Sequence, residues 1–174
     1  PVELGPSRRH LLAGIVPGIG YGCFVAWLEP PGTTVAHVGK FGFGLVGIEV
    51  DALSGTEVNA RQVRDAIMAM PKEAGPPRLV LLGYSKGTPD ILEAVVRYPE
   101  IHERVAAVVS IAGAVRGSAL AEDAEQWQAE LLRDWPKSDC DAGDGGGVAS
   151  LRPAVRKDWL ARNPLPSNVR FYSL

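Results

Sequence analysis

The 174-residue chain has only two cysteines, three histidines and a net charge of -2. Each shortage narrows the field. Cys23 and Cys140 lie in very different segments and match neither a zinc spacing nor a disulfide framework, so they read as buried or free thiols. Lys and Arg are dispersed, which leaves no basic stripe for nucleic acid. No apolar run reaches membrane-spanning length, since Leu11 to Phe24 is interrupted by Pro17 and four glycines. The chain therefore reads as soluble. It opens on Pro1 with no Met and no signal-like segment, so a processed or excised N-terminus is expected, with the cytoplasm as default location.

With 46% hydrophobic residues the chain can bury one sizeable core, which predicts a single domain. Its centre of organisation is Gly83-Tyr84-Ser85-Lys86-Gly87. Before it, Arg78-Leu79-Val80-Leu81-Leu82 reads as a buried parallel strand. After it, Thr88 to Tyr98 carries a helical pattern with Leu92, Val95 and Val96 on one face. A Ser between two glycines on a strand-to-helix turn is the G-x-S-x-G nucleophile elbow. The turn is so tight that the Ser takes a strained backbone, and a Cβ at Gly83 or Gly87 would strike a neighbouring element. The plainer reading is a glycine-rich turn with an idle Ser. Pro89 is tolerable in the helix's first turn, where its missing N–H has no partner in any case.

The rest of the chain repeats a strand-and-helix rhythm. His10 to Val16 reads as a strand broken by Pro17-Gly18-Ile19-Gly20-Tyr21-Gly22, a turn that leaves backbone N–H groups free. Cys23 to Leu28 looks like a short helix stopped by Glu29-Pro30-Pro31-Gly32. Leu45 to Val50 is a strand again. Asn59 to Met70 is the clearest helix, with Asn59 and Gln62 at capping-box spacing and Val63, Ile67 and Met70 as its apolar stripe. Val105 to Ala112 is a continuous apolar run of the kind buried on both faces of a parallel sheet. Ala154 to Arg162 reads as a helix leading into a last strand, Asn168 to Leu174. Strands separated by helices imply a doubly wound α/β sheet, with ligands at the carboxyl ends of its strands.

Residues 113–153 depart from that rhythm. Glu122 to Trp135 could form an amphipathic helix with Trp127, Leu131 and Trp135 on one face. Asp139 to Gly147 reads as a flexible loop. Its acids are out of register for a calcium loop and lack the closing Glu, and its glycines neither follow a strand nor open a helix, as phosphate binding needs. No metal or cofactor is called for.

Taken together, Pro17-Gly18-Ile19-Gly20, Asn59-Ala60, the strand into Gly83-Tyr84-Ser85-Lys86-Gly87, and Val108-Val109-Ser110-Ile111-Ala112-Gly113 make the chain resemble the central part of the α/β-hydrolase superfamily of serine esterases and lipases, from about His10 to Leu174. The resemblance implies a doubly wound, mostly parallel sheet with flanking helices, incomplete at both ends, that begins at the family's third strand and ends at its seventh. It also implies that residues 114–153 form a cap or lid insertion. By position, Ser85 resembles the nucleophile, Gly83 and Gly87 the elbow glycines, and the backbone N–H of Lys86 one oxyanion donor. The second donor would be the N–H of Ile19, with Gly18 as the alternative.

The family's acid follows its seventh strand and its His the eighth, so both are expected beyond Leu174. A Ser needs a base within reach. His10 and His102 stand at the sheet edge opposite the elbow and His37 lies in a connection, so each reads as a surface or packing residue. Lys86, adjacent to Ser85, is poorly aimed at its hydroxyl and is expected to face solvent or an acid. Asp90 is expected to support the helix N-terminus. The resemblance thus implies a serine hydrolase acting on small-molecule acyl or ester substrates through an acyl-enzyme on Ser85, this piece having little turnover alone. The alternatives are a non-catalytic module that binds a ligand or partner under the cap, or an acyltransferase using the same residues.

Overall fold

A computed structural model describes Gly5 and residues 11–24, 36, 37, 39–71, 79–123 and 143–174. Among them five strands are formed: β1 (Leu11–Val16), β2 (Phe43–Gly47), β3 (Leu79–Tyr84), β4 (Val105–Ile111) and β5 (Arg170–Ser173). They make one sheet in the order β2-β1-β3-β4-β5, with every neighbouring pair parallel. Parallel neighbours need crossover connections. These include α1 (Thr56–Ala69) before β3, α2 (Gly87–Arg97) before β4, and α3 (Ala119–Asp123) and α4 (Pro153–Arg162) before β5. The fold class is the α/β one expected, and its core is the incomplete sheet that the resemblance implied.

The strand order places the site. From β1 the chain steps out to β2, then returns to lay β3 on the other side of β1. The direction of winding reverses between β1 and β3, and crevices open at the carboxyl ends of strands at such a switch point. Val16, Gly83, Ser110 and Ser173 stand in register across β1, β3, β4 and β5. Ser85 follows that row by two residues on β3, and Pro17 follows it by one on β1.

One core fixes this arrangement. Leu79 and Leu81 of β3 and Val105 and Val108 of β4 meet Ala60, Val63 and Ile67 of α1 and Ile91, Ala94 and Val95 of α2. Leu81 and Ile91 are wholly buried, and each such side chain contributes about 2 kcal/mol. The burial on both faces expected of Val105 to Ala112 is met on one: Val105, Val108 and Ser110 are buried, whereas Ala106, Ala107, Val109 and Ile111 are half-buried. Leu79 and Leu81 are buried, whereas Val80 and Leu82 are half-buried, because α1 and α2 belong to the core on the first pair's side.

Four local readings are corrected. The helix expected from Asn59 begins at Thr56 with Gly55 as its N-cap, so Asn59 and Gln62 are not a capping box but interior residues that reach backward. Asn59 Nδ2 donates to the carbonyl of Asp51 at 3.1 Å, and Gln62 Oε1 accepts from the Asp51 N–H at 2.9 Å. The same two bonds explain why β2 ends at Gly47 and not Val50. Ile48 N still donates to Ile15 O at 2.8 Å, after which the chain turns away toward the held Asp51. Third, Cys23 is disulfide-bonded and not a thiol; the chain's other cysteine, Cys140, lies outside the described residues. Cys23 is buried beside Ala52 and Leu53, with Ile19 packed against the group.

Fourth, the end of the acidic, glycine-rich loop is docked. Gly147 N donates to Leu53 O at 2.7 Å, and Asp144 Oδ1 accepts from Gly55 N at 2.7 Å and Gly146 N at 2.8 Å. A carboxylate far along the chain thus caps α1, which has no capping side chain of its own. Trp127, Leu131 and Trp135, with Asp139 to Ala142, lie outside the described residues. Among the described residues, no helix is long and apolar enough to cross a membrane.

Candidate active site

Ser85 sits between β3 and α2 with φ of 49°, in the left-handed region that L side chains adopt at a cost. The turn leaves no room for larger neighbours. A Cβ at Gly83 would lie 2.6 Å from Thr88 Cα, and one at Gly87 would lie 2.1 Å from the carbonyl oxygen of Val16. The strained residue is held by main-chain bonds: Ser85 N donates to Ile111 O at 3.1 Å, and Ser85 O accepts from Thr88 N at 3.2 Å and Ala114 N at 3.1 Å. Those partners lie at the end of β4 and in the first turn of α2. Ser85 is half-buried and Tyr84 beside it is exposed.

The turn after β1 comes up against this elbow. A Cβ at Gly18 would lie 3.1 Å from Ser85 Cβ and 3.3 Å from Tyr84 Cδ1, so Gly18 lies against the elbow, with Ile19 next in the same turn. Gly20 N donates to Ala52 O at 2.9 Å and Tyr21 N to Gly18 O at 3.3 Å, which shapes the turn. The N–H groups of Gly18, Ile19 and Lys86 donate to no acceptor among the described residues. Lys86 also stands at the N-cap of α2, where the helix dipole favours negative charge. A strained hydroxyl and unpaired amides at a helix N-terminus suit a reaction in which an oxygen gains negative charge.

The Lys86 side chain turns the other way. It is buried, and its Nζ donates to Asp90 Oδ1 at 2.8 Å and Oδ2 at 2.9 Å. Asp90 is buried too and also accepts from Asn59 Nδ2 at 2.9 Å, so its carboxylate, placed in the first turn of α2 as expected, also ties α2 to α1. Burial pushes the Asp90 carboxyl up to about 6 against the pull of Lys86, Asn59 and Arg156. Burial likewise lowers the Lys86 ammonium, although Asp90, Asp144 and Asp51 oppose it. Burial would raise Asp144, but the amides of Gly146 and Gly55 with the field of Lys86 hold it below the usual carboxylate range. Ser54 joins the group, donating to Asp51 Oδ2 and accepting from Asp144 N, both at 3.0 Å.

The structure thus brings together Ser85, Gly83, Gly87, Lys86 and Gly18, with Ile19 next to Gly18 in the same turn. Among the described residues it brings no histidine to them. His102 Nε2 lies 2.6 Å from Val95 O, in the connection that leads into the amino end of β4. His37 stacks edge-on with Phe41 ahead of the amino end of β2. The sheet is all parallel, so both stand at the end opposite Ser85; His10 lies outside the described residues. Sequence reasoning missed the buried Arg156 of α4, whose Nε donates to Val115 O at 3.3 Å and whose guanidinium lies 4.5 Å from the Trp159 ring centroid. It also missed the partnership of Lys86, Asp90 and Asn59. The i, i+4 spacing of the first two was the available signal.

The chain is similar in structure to a metagenomic carboxyl esterase, at 33% identity and a TM-score of 0.87, covering 99% of this chain and 52% of that one. It is similar in fold to the mature lipase of Bacillus licheniformis, at 18% identity and a TM-score of 0.70, covering 99% and 68%. It also shares the fold of the RedJ thioesterase of the prodiginine pathway of Streptomyces coelicolor, at 14% and 0.54, covering 100% and 85%. The chain spans about half the length of the esterase. No protein-family model and no curated protein matches its sequence.

Proposed function

Because the chain belongs to the α/β-hydrolase superfamily, of which it holds the central portion, we propose that it is the serine-bearing part of a carboxylic-ester hydrolase. The observation that carries the reading is Ser85, strained at φ 49° beside two turns whose amides are unpaired among the described residues. In this reading Ser85 Oγ attacks the ester carbonyl carbon while a histidine base takes its proton. The carbonyl oxygen becomes an oxyanion that accepts from Lys86 N–H and Ile19 N–H. Collapse expels the alcohol, which takes the proton back, and leaves an acyl group on Ser85. Water then attacks that acyl-enzyme through the same steps. Two amides aimed at the developing charge are each worth roughly a hundredfold or more in rate.

The base and its acid belong, in this reading, to sequence beyond residue 174; residues 124–142 of the expected cap lie outside the described residues. The metagenomic carboxyl esterase similarity supports a small ester substrate. The test is to treat the protein from its source with a fluorophosphonate probe, then measure its intact mass and map the adduct. A labelled Ser85 on a chain heavier than the present one is the expected result. An unlabelled chain of only 174 residues would overturn the catalytic reading.

A further inference from the structure

The peptide that joins Ser85 to Lys86 is held at both ends. Its carbonyl oxygen accepts from Thr88 N and Ala114 N, and because a peptide is planar its N–H must point the opposite way. On the far side, the Cα of Lys86 carries a side chain drawn into the interior by both oxygens of Asp90. Asn59 braces that carboxylate from α1 while its amide also reaches the carbonyl of Asp51. Stability does not require this arrangement. A buried ion pair costs several kcal/mol of desolvation per ion, and apolar side chains of similar shape often serve a fold as well. What an apolar pair lacks is direction, which two charge-assisted bonds impose on the lysine's rotamer and hence on its backbone.

We propose that the buried Lys86–Asp90 pair, braced by Asn59, is a positioning device that fixes the Lys86 amide toward the substrate's developing oxyanion. This rests on reading Ser85 as the nucleophile. The Lys86 amide is the group that touches the reacting oxygen, and its side chain, Asp90 and Asn59 act through it. The pair therefore contributes to the chemical step and not to substrate binding.

The test uses the full-length protein with p-nitrophenyl butyrate and a trifluoromethyl ketone, whose adduct with the Ser carries an oxyanion. The double variant Lys86→Met/Asp90→Asn removes both charges together and keeps a partner for Asn59. At pH 7 it is expected to keep wild-type thermal stability and KM while kcat falls by about tenfold or more, with ketone affinity falling by the same factor. Asn59→Ala keeps the pair and removes the brace, so kcat should fall about threefold at unchanged KM. Wild-type kcat and ketone affinity in both variants, with Ser85→Ala inactive, would overturn this proposal alone. Turnover that survives Ser85→Ala would overturn the nucleophile reading and this one with it.

Discussion

A methyl group added to Gly87 would stand 2.1 Å from the carbonyl oxygen of Val16, a separation no pair of atoms sustains. Neither partner can give way, since Val16 is locked in β1 against β3 and Gly87 opens α2. Gly87→Ala should therefore cost about 3 kcal/mol or more, or abolish folding, whereas Gly20→Ala meets no atom within 4 Å and loses only the ease of a positive φ. Urea denaturation of the two variants compares them directly. Equal midpoints would show that the elbow is looser than described.

Backbone strain at Ser85 gives a prediction with the opposite sign. A non-glycine residue at φ 49° costs roughly 1–2 kcal/mol that glycine avoids. Ser85→Gly should thus be more stable than Ser85→Ala by about 1 kcal/mol, which is about 2–4 °C in Tm for a domain of this size. Calorimetry on both variants settles it, and an Ala variant as stable as the Gly variant would remove strain from the description.

Asp144 caps α1 from the docked end of the acidic loop. Removing its oxygen in Asp144→Ala strips the buried Gly55 N–H and the half-buried Gly146 N–H of their acceptor and should cost about 1 kcal/mol, as a lost cap typically does. Asp144→Asn keeps an acceptor and should cost less. Hydrogen exchange at Gly55 is the local readout: its protection should drop in the Ala variant and persist in the Asn variant.

The pH dependence follows from Asp90, whose carboxyl sits near 6 in the fold against an ordinary 3.8. The native state holds this proton more tightly than the unfolded chain, so the stability it contributes is fully present below about pH 4 and is lost as pH rises through about 6. The facing groups are Lys86 and Asn59, with Arg156 of α4 farther off. Asp144 acts in the reverse sense: its contribution is present above the ordinary carboxylate value of 3.8 and is lost as pH falls from there through its own lowered value. The wild type minus Lys86→Met/Asp90→Asn difference isolates the pair. That difference should shrink by about 2–3 kcal/mol from pH 4 to pH 7. Parallel stability profiles would contradict the raised carboxyl.

How much of this was legible in the sequence depends on whether a residue's partner is near it in the chain. The elbow was, because Gly83 and Gly87 stand at fixed offsets from Ser85 on a turn whose geometry is local. The five strands were, because Leu79 to Leu82 and Val105 to Ile111 are apolar runs bounded by turn residues. Asn59 and Gln62 stand at capping-box spacing, which sets the start of α1 three residues late, since the true cap on Gly55 comes from Asp144. The disulfide at Cys23 left no spacing to read. Lys86 is expected to face solvent or an acid, and the acid is Asp90; the burial of the pair is not legible, because an i, i+4 pair has the same sequence signature on a surface as in an interior. Arg156 was invisible for a related reason: nothing in the chemistry of an arginine announces burial.

The order β2-β1-β3 has one more consequence. Gly18 and Ser85 meet only after the chain has laid a strand at the sheet's edge, built α1, and inserted β3 beside β1. Closing that loop precedes any contact between the two turns, and non-local pairings of this kind form late and slowly. Reactivity of Ser85 toward a probe therefore reports on completed assembly of the sheet, and during refolding it should appear after helical signal and with the last phase of compaction.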